Sequence, residues 1–273
     1  MKTRILRLKS RKKRIGIMAA ALALCCFVGF FVTDGGQAIV TAALQRQLPI
    51  YCVKKDDKVV SLSFDAAWGN EDTQQLIDIL GKYNIKATFF VVGEWVDKYP
   101  ESVKALSDAG HEIMNHSNDH KYFSKLSAAE IIQDINMCND KIEAVTGVRP
   151  ILFRPPYGDY NDNVVSTVNS IGMYPIQWDV DSLDWKDLSA QDIQSRVLKR
   201  VQPGSIVLFH NAAKNTPAAL SGIIEGLIAQ GYSFLPISQL IYKDNYTIDH
   251  TGRQQPGATS AQHASTDVKM HNR

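Results

Sequence analysis

Short apolar runs alternate with amphipathic segments through the middle of the chain. Seven such runs have the length and the β-branched or aromatic content of buried strands. They lie at residues 59–64, 85–92, 111–115, 151–153, 173–178, 205–209 and 232–235. Between them, apolar residues recur at helical spacing; Leu76, Ile77 and Leu80 share one face of a predicted helix over 71–83. Strands that alternate with helices predict an α/β fold built on a parallel sheet.

Capping residues mark where several of these helices begin and end. Ser127 and Glu130 have the spacing of a capping box, and Gly147 follows the apolar-periodic run behind them. Ser189 and Asp192 repeat this pattern ahead of another predicted helix. Because the strands are almost continuously apolar, both faces of the sheet are expected to be covered by helices. That expectation fits a closed (β/α) barrel or a doubly wound sheet.

Charge is unevenly distributed along the 273 residues. Eight of the 30 Lys and Arg residues fall within the first fourteen positions, and no acidic residue precedes Asp34. The remaining chain holds 22 basic against 28 acidic residues, a net charge of about −6. A mildly acidic body argues against nucleic acid as a partner, since proteins that bind it carry basic surfaces on the folded domain.

An uncharged apolar segment follows the basic run. Residues 15–32 are long enough for a membrane-spanning helix, and the basic residues at 1–14 predict a cytoplasmic N-terminus with the rest of the chain outside the membrane. The alternative is a cleaved signal segment, which would give a secreted protein. We expect a linker over 33–57 and a globular domain over 58–242. The polar residues 243–273 are expected to form a loosely ordered tail.

Only two cysteines, Cys52 and Cys138, lie outside the apolar segment. Two cysteines make no disulfide framework, and the sequence leaves open whether they pair. Buried free thiols are the expected state in a domain that is otherwise poor in cysteine.

Polar side chains suited to metal or acid–base chemistry follow five of the seven predicted strands. In barrels and in open α/β sheets, the carboxyl ends of parallel strands carry the functional site. One such residue would carry no weight, but five strand ends with this chemistry are hard to attribute to solvated loops. In chain order the residues are Asp65, His116 and His120, Arg154, Asp181 and Asp184, and His210. We therefore expect them to converge at one end of the sheet.

Spacing and context suggest roles for the first of these residues. His116 and His120 stand four apart, which on a helical turn lets both imidazoles share a metal; an isolated pair of this kind is more often two exposed loop histidines. Asp65 directly follows a strand, where a carboxylate acts as a general base or merely caps a helix. Arg154 precedes two prolines that stiffen the turn, and a fixed guanidinium can grip a carboxylate with paired hydrogen bonds.

The later residues fit acid catalysis and substrate contact. Asp184 can orient a neighbouring histidine, and His210, at the end of an apolar strand, is a candidate general acid. Trp185 either walls an apolar pocket for a small acyl group or packs in the core.

Five motifs carry these residues, in the order SFDAAWG (63–69), HSNDH (116–120), RPPYG (154–158), DSLDW (181–185) and LFH (208–210). The ordered set resembles the polysaccharide deacetylase family, the NodB homology fold of carbohydrate esterase family 4. The resemblance spans about residues 59–241 and is closest to the sporulation-associated PdaB-like branch. It implies a distorted (β/α)7 barrel, preceded here by the N-terminal membrane helix. It also implies removal of N-acetyl groups from N-acetylhexosamine residues of a cell-wall polysaccharide such as peptidoglycan.

The same resemblance implies a divalent metal and a role for each matched residue. Zinc is the expected metal, with cobalt or manganese as alternatives. By this resemblance, Asp65 is the catalytic base, Arg154 holds it in place, and His116 and His120 are metal ligands. His210 is the general acid, and Asp184 tunes it. The backbone N–H of Tyr157 stabilises the oxyanion, and Trp185 and Leu208 line the acetate pocket.

One position departs from the family pattern. In a loop expected to face the two histidines, the family has a second aspartate that ligates the metal, whereas this chain has Ala66. A catalytic zinc site usually has three protein ligands plus water, so losing one is expected to weaken metal binding. A catalytically silent glycan-binding protein is therefore an alternative to a deacetylase. An O-acetyl esterase is another, since the same geometry attacks either carbonyl.

Overall fold

Parallel strands dominate the computed structural model, which describes residues 46–257 of the chain. In chain order the strands are β1 (Cys52–Val53), β2 (Val59–Ala66), β3 (Thr88–Val91), β4 (Glu112–Asn115), β5 (Leu152–Phe153), β6 (Tyr174–Pro175), β7 (Val180–Asp181), β8 (Ile206–His210), β9 (Ser233–Phe234), β10 (Tyr246–Ile248) and β11 (Arg253–Pro256). The seven predicted strand regions are confirmed, and they correspond to β2 to β6, β8 and β9. The sequence pattern does not predict β1, β7, β10 or β11.

Helices follow most strands of the main sheet, as predicted. They are α1 (Thr73–Lys82), α2 (Gly93–Lys98), α3 (Pro100–Asp108), α4 (Ala128–Thr146), α5 (Asp162–Ser170), α6 (Ala190–Arg200), α7 (Thr216–Ala229) and α8 (Ile237–Leu240). The capping box of Ser127 and Glu130 opens α4, and Gly147 ends it in a left-handed conformation. Ser189 caps α6 by accepting a hydrogen bond from the backbone N–H of Asp192. The helix starts and the helix end predicted from these capping residues are therefore confirmed.

The main sheet has the strand order β6-β5-β4-β3-β2-β8-β7, with β9 beside the start of β2. All of these pairs are parallel, so the predicted parallel α/β sheet is confirmed. Within residues 46–257, β6 and β7 end the path without pairing to each other. The (β/α)7 barrel that the resemblance implies is thus present as a half-barrel.

The central strand β2 has an apolar face and a polar face. Val60, Leu62 and Phe64 pack in the largest apolar cluster, together with residues of the surrounding helices. Ser63 and Asp65 alternate with them and so point to the opposite face. All eight residues of β2 are buried, which means that the polar ones need partners inside the half-barrel.

A second, small sheet joins the two ends of the described chain. β11 pairs in parallel with β1 and antiparallel with β10. The buried Gln254 side chain accepts a hydrogen bond from the backbone N–H of Tyr242 and donates one to its carbonyl oxygen. The expected loosely ordered tail is therefore wrong up to Gly257, because residues 246–248 and 253–256 form strands of this sheet. Residues 258–273 lie outside the described residues.

The start of the chain also lies outside the described residues. The predicted basic segment, the membrane anchor and most of the linker all precede residue 46. Within the described range of 46 to 257, no helix has both the length and the apolar character needed to cross a membrane. Cys52 and Cys138 do lie in the described part, where both are buried free thiols, as predicted.

Candidate active site

Side chains from the ends of three strands lie around the carboxylate of Asp65, which belongs to a fourth strand. Asp65 lies near the end of β2, His116 follows β4, Arg154 follows β5, and His210 ends β8. Arg154 Nη1 lies 2.7 Å from Asp65 Oδ1, and His116 Nε2 lies 3.4 Å from Asp65 Oδ2. Asp65 and His210 are paired in register across β2 and β8. The parallel strands thus bring these four residues together, as their strand-end positions predict.

Asp65 is buried, yet its surroundings favour the ionised form. Burial by itself raises the pKa of this carboxyl group. The charge of the Arg154 guanidinium, together with the neighbouring His116 and His210, outweighs burial, so that the pKa of Asp65 lies below its usual value. An ionised carboxylate is the form that a general base needs.

The fully buried Arg154 guanidinium divides its hydrogen bonds among several acceptors. Nη1 donates to Asp65 Oδ1 at 2.7 Å, while Nη2 donates to Ser63 Oγ at 2.9 Å and to the carbonyl oxygen of Gln177 at 3.2 Å. The Phe90 ring lies against the guanidinium, 4.1 Å from Cζ to the ring centroid. The predicted paired grip on one carboxylate is therefore wrong. One nitrogen holds Asp65, and the other fixes the arginine within the half-barrel.

The two histidines of the HSNDH motif lie in a loop and not on a helical turn, so that prediction is wrong. Ser117 and His120 have φ angles of 73° and 57°, in the left-handed region. His116 Nδ1 donates to the carbonyl oxygen of Arg154 at 2.8 Å, which leaves Nε2 facing Asp65. The imidazole centroids of His116 and His120 are 5.0 Å apart. The loop thus brings the two rings together without helical geometry.

Both imidazoles are neutral at neutral pH. Burial lowers the pKa of His116, even though the Asp65 carboxylate opposes this shift. Burial, helped by the neighbouring His116, lowers the pKa of His120 to about 4. The neutral imidazole is also the form that binds a metal ion.

The described residues do not form a metal site with three protein ligands. Ala66 is the last residue of β2, and it belongs to the same apolar cluster as Phe64, on the face opposite Asp65. The expected loop position facing the histidines is therefore wrong. Between residues 46 and 257, no group of three His, Cys, Asp or Glu side chains is arranged to hold a metal. His116 and His120 supply two donors, which does not fit a catalytic zinc site.

His210 is held by a buried carboxylate. Asp184 Oδ1 lies 2.8 Å from His210 Nδ1, and Asp184 Oδ2 accepts hydrogen bonds from the His210 backbone N–H and from Thr216 Oγ1. Burial alone would lower the pKa of His210, but its bond to Asp184 more than offsets this, so the pKa lies above its usual value. A protonated imidazole with a fixed orientation suits a general acid.

The strand-end pattern does not predict two residues that lie beside His210. The Trp68 indole stacks on His210, with 5.7 Å between ring centroids and 24° between planes. Asn211 Oδ1 accepts hydrogen bonds from the N–H groups of Ala67 and Trp68 at 3.2 and 3.5 Å, and its amide nitrogen donates to the carbonyl oxygen of Gly69. The signal that points to them is adjacency: Trp68 lies inside the first motif, and Asn211 directly follows the last.

The predicted substrate contacts differ in exposure. Tyr157 is exposed, with a left-handed φ of 59°, and its ring meets His120 edge-on at 4.4 Å between centroids. Trp185 is about half exposed, which excludes the core position. Leu208 is buried two residues before His210 on β8, so both point to the same face of the sheet.

Asp181 shapes a loop. Its Oδ1 accepts a hydrogen bond from the Leu183 N–H at 2.8 Å, and its carbonyl oxygen accepts one from Arg196 Nε at 2.6 Å. These bonds order the chain immediately before Asp184. Asp181 therefore supports the turn that positions the partner of His210.

An Asp–Arg pair and a His–Asp pair lie at the strand ends of a parallel half-barrel, an arrangement suited to acid–base catalysis, and comparisons with known proteins identify the family. The chain belongs to the polysaccharide deacetylase family. The family model, described as polysaccharide deacetylase, matches residues 53–176. A peptidoglycan-N-acetylglucosamine deacetylase of Bacillus cereus is 35% identical over 194 residues, which cover 69% of this chain and 91% of that protein.

A longer relative shares the same region. The peptidoglycan-N-acetylmuramic acid deacetylase PdaC of Bacillus subtilis is 39% identical over 188 residues, which cover 69% of this chain and 40% of PdaC. The matched region thus spans less than half of the length of that relative. Both relatives carry the names of peptidoglycan deacetylases, so this chain belongs to a family of hydrolases whose named members remove acetyl groups from peptidoglycan.

Solved structures with this fold include a protein without activity. The wild-type family 4 pseudoenzyme of Bacillus anthracis superposes with a TM-score of 0.68 at 37% identity, covering 71% of this chain and 69% of that one. A mutant of this pseudoenzyme, described as having restored enzymatic activity, has a TM-score of 0.68 at 38% identity and covers 71% of each chain. The family therefore holds both deacetylases and a pseudoenzyme on one fold.

Proposed function

We propose that this protein hydrolyses N-acetyl groups on N-acetylhexosamine residues of peptidoglycan. The observation that carries the proposal is the pair Asp65 and His210 on adjacent strands. Their environments move the two pKa values in opposite directions, downward for Asp65 and upward for His210. Two titratable groups driven apart in this way are suited to act as base and acid in one reaction.

The chemistry follows from these side chains. Asp65 accepts a proton from the water molecule that attacks the acetamide carbonyl carbon. His210 gives a proton to the amine nitrogen as the C–N bond breaks, so acetate and a free amino sugar leave. Arg154 keeps Asp65 ionised and in place, and Asp184 does the same for the protonated ring of His210. The backbone N–H of Tyr157 is proposed to stabilise the oxyanion, and Trp185 and Leu208 are proposed to line the acetate pocket.

The role of a metal belongs to the same proposal. His116 and His120 are the residues that would hold zinc, cobalt or manganese, but two protein donors do not fit a catalytic site for such a metal. The acid–base steps above are assigned to protein groups alone, because the third protein ligand is missing.

The direct test is product release. The purified protein would be incubated with chitin oligomers and with peptidoglycan, without metal and with zinc, cobalt or manganese. We expect acetate and free amines to appear in equal amounts, and Asp65→Asn to release neither. Acetylated xylan, tested in parallel, separates an O-acetyl esterase from an amide hydrolase. If no glycan releases acetate under any metal condition, the proposed activity is wrong.

A second candidate is a glycan-binding protein without turnover. The observation in its favour is Ala66, which removes a carboxylate that the family uses and leaves two histidines without a third partner. The pseudoenzyme of Bacillus anthracis shows that the fold persists without activity. Equal retention of wild type and Asp65→Ala on immobilised peptidoglycan, with no acetate from either, would favour this candidate.

We also propose that the domain works outside the cytoplasmic membrane, held there by residues 15–32. The basic run before this segment and the apolar character of the segment support the proposal. This location should be tested in sporulating cells, because the sequence resembles the sporulation-associated branch. Mass spectrometry of the mature N-terminus is the measurement, and a start near Ala43 would show a cleaved signal instead.

Ala66→Asp tests whether residue 66 faces the apolar cluster or the two histidines. Without metal, we expect the variant to be less stable than the wild type, because a carboxylate replaces a buried methyl group in an apolar cluster. Because residue 66 lies on the face of β2 opposite Asp65, the new carboxylate does not face His116 and His120, so added zinc should raise the melting temperature of the variant no more than that of the wild type.

The matched control for this change is Ala66→Asn, which has the same size but no charge. Its melting temperature should fall as well, with the same response to zinc. A larger response to zinc in Ala66→Asp than in Ala66→Asn and the wild type would mean that residue 66 faces the two histidines and that they bind metal.

Asp184→Asn tests whether the Asp184 carboxylate raises the pKa of the general acid His210. The amide keeps the shape but loses the charge that raises the pKa of His210. Because the acid must be protonated, activity falls as pH rises through the pKa of His210. We therefore expect the alkaline limb of the kcat profile to move to lower pH in Asp184→Asn. Asp187→Asn is the control, because Asp187 is exposed on the same loop; an unmoved alkaline limb in Asp184→Asn would contradict the assigned pair.

A further inference from the structure

Rings form a row across the mouth of the half-barrel. Trp68 stacks on His210 at one end, and His120 meets Tyr157 edge-on at the other. Asp65 lies between the two ends, beside His210 in register and 3.4 Å from His116. The centre of the row is buried, whereas Trp68 and Tyr157 are exposed. The acetyl-reactive centre therefore has an aromatic ring accessible to solvent on either side.

Trp68 is the most unusual of these rings. A large apolar side chain on a loop usually turns one face inward, but Trp68 is 53% exposed. Its aromatic neighbour among the described residues is His210. Because a flat indole that covers the acid on one side leaves its remaining surface open, it offers a stacking surface directly beside the point where the amine leaves.

The backbone on both sides of Trp68 is fixed. Asn211 accepts hydrogen bonds from the N–H groups of Ala67 and Trp68 and donates to the carbonyl oxygen of Gly69. That carbonyl oxygen also accepts a hydrogen bond from Trp95 Nε1 at 3.1 Å. Asn211 itself is buried. The exposed indole is thus carried on an ordered loop, so little conformational entropy is lost when a ligand stacks on it.

We infer that Trp68 is a sugar-binding platform, which holds a pyranose ring of the glycan next to the residue that is being deacetylated. One face of a pyranose ring is lined with C–H bonds, and such a face packs well on an indole. The inference rests on the proposed function, since it assigns the neighbouring sugar of the same substrate. It predicts a preference for oligomers, because a single sugar at Asp65 does not reach the platform.

The experiment compares a long and a short ligand. Binding of chitotetraose and of N-acetylglucosamine is measured by calorimetry for wild type, Trp68→Ala and Trp68→Tyr, and the recovered ligand is checked for released acetate. Loss of one aromatic contact should weaken binding of chitotetraose by about two- to tenfold. Binding of N-acetylglucosamine should stay unchanged, and Trp68→Tyr should keep most of the affinity for chitotetraose.

Two controls separate binding from damage. Ile228→Ala removes another exposed apolar side chain, 48% exposed near the end of α7 and away from the motif residues, and should leave both affinities unchanged. A role for Trp68 in merely orienting His210 would lower kcat and leave the affinity for chitotetraose intact. That result, or an equal loss of affinity for both ligands, would overturn the inference. The proposed function fails on a different measurement, the absence of acetate, so the two are distinguishable.

Discussion

His210→Ala is expected to lower the rate of deacetylation by about two to four orders of magnitude, the usual effect of removing a general acid. The fold should survive, because His210 is at the end of β8 and retains some contact with solvent. Steady-state kinetics on chitin oligomers would measure the loss, with circular dichroism to verify folding.

His250→Ala is the control for this change, since His250 is an exposed histidine remote in sequence from the five motifs. Its rate should match that of the wild type. A folded His210→Ala protein with wild-type kinetics would falsify the role assigned to His210.

Arg154→Met is expected to destabilise the protein by about 3–5 kcal/mol, because it leaves the Asp65 carboxylate buried without its partner. Arg154→Lys should fall between this variant and the wild type. A single ammonium group restores a charge beside Asp65, but it cannot also reach Ser63 Oγ and the Gln177 carbonyl in the geometry of a guanidinium. Urea unfolding monitored by fluorescence would give the three free energies.

The matched surface control is Arg149→Lys. Arg149 pairs with Asp140 and Glu143 while its side chain remains 44% exposed, so its loss of stability should stay within about 1 kcal/mol. If Arg154→Met costs no more than this control, then the buried ion pair does not hold the site together. Activity adds a second readout, because Arg154→Lys should also lose turnover as Asp65 loses its fixed orientation.

The convergence of Asp65, His116 and His210 was predictable because a parallel sheet places all carboxyl ends at one edge. The way Arg154 divides its bonds was not, because it depends on the distance to Ser63 across the half-barrel. That distance follows from how the strands curve, which the sequence pattern does not reveal.

The direction of Ala66 was readable in principle from the period of two along β2. Val60, Leu62 and Phe64 share its parity, and all of them pack in the apolar cluster. Family analogy places a ligand at this position, whereas strand alternation places a core residue. For Ala66, strand alternation gives the observed position of the side chain, and the family analogy does not.

The second sheet could not be predicted, since its strands are short and polar. Residues such as Gln254 and Gln255 are typical of solvated loops, and their hydrogen bonds to the chain near Tyr242 and Asp249 exist only in three dimensions. The short β7 could not be predicted for a related reason, because two residues show too little periodicity to distinguish a strand from a loop.

The small sheet determines where a recombinant fragment can be cut. The Ile50 backbone bonds to Pro175 of β6 and to Gln177 just beyond it, and Val53 bonds to Gly204 just ahead of β8. A fragment limited to 58–242 would strip these partners away and leave open strand edges, which favour aggregation. Expression and crystallisation should therefore use a fragment that begins before Ile50 and ends after Pro256.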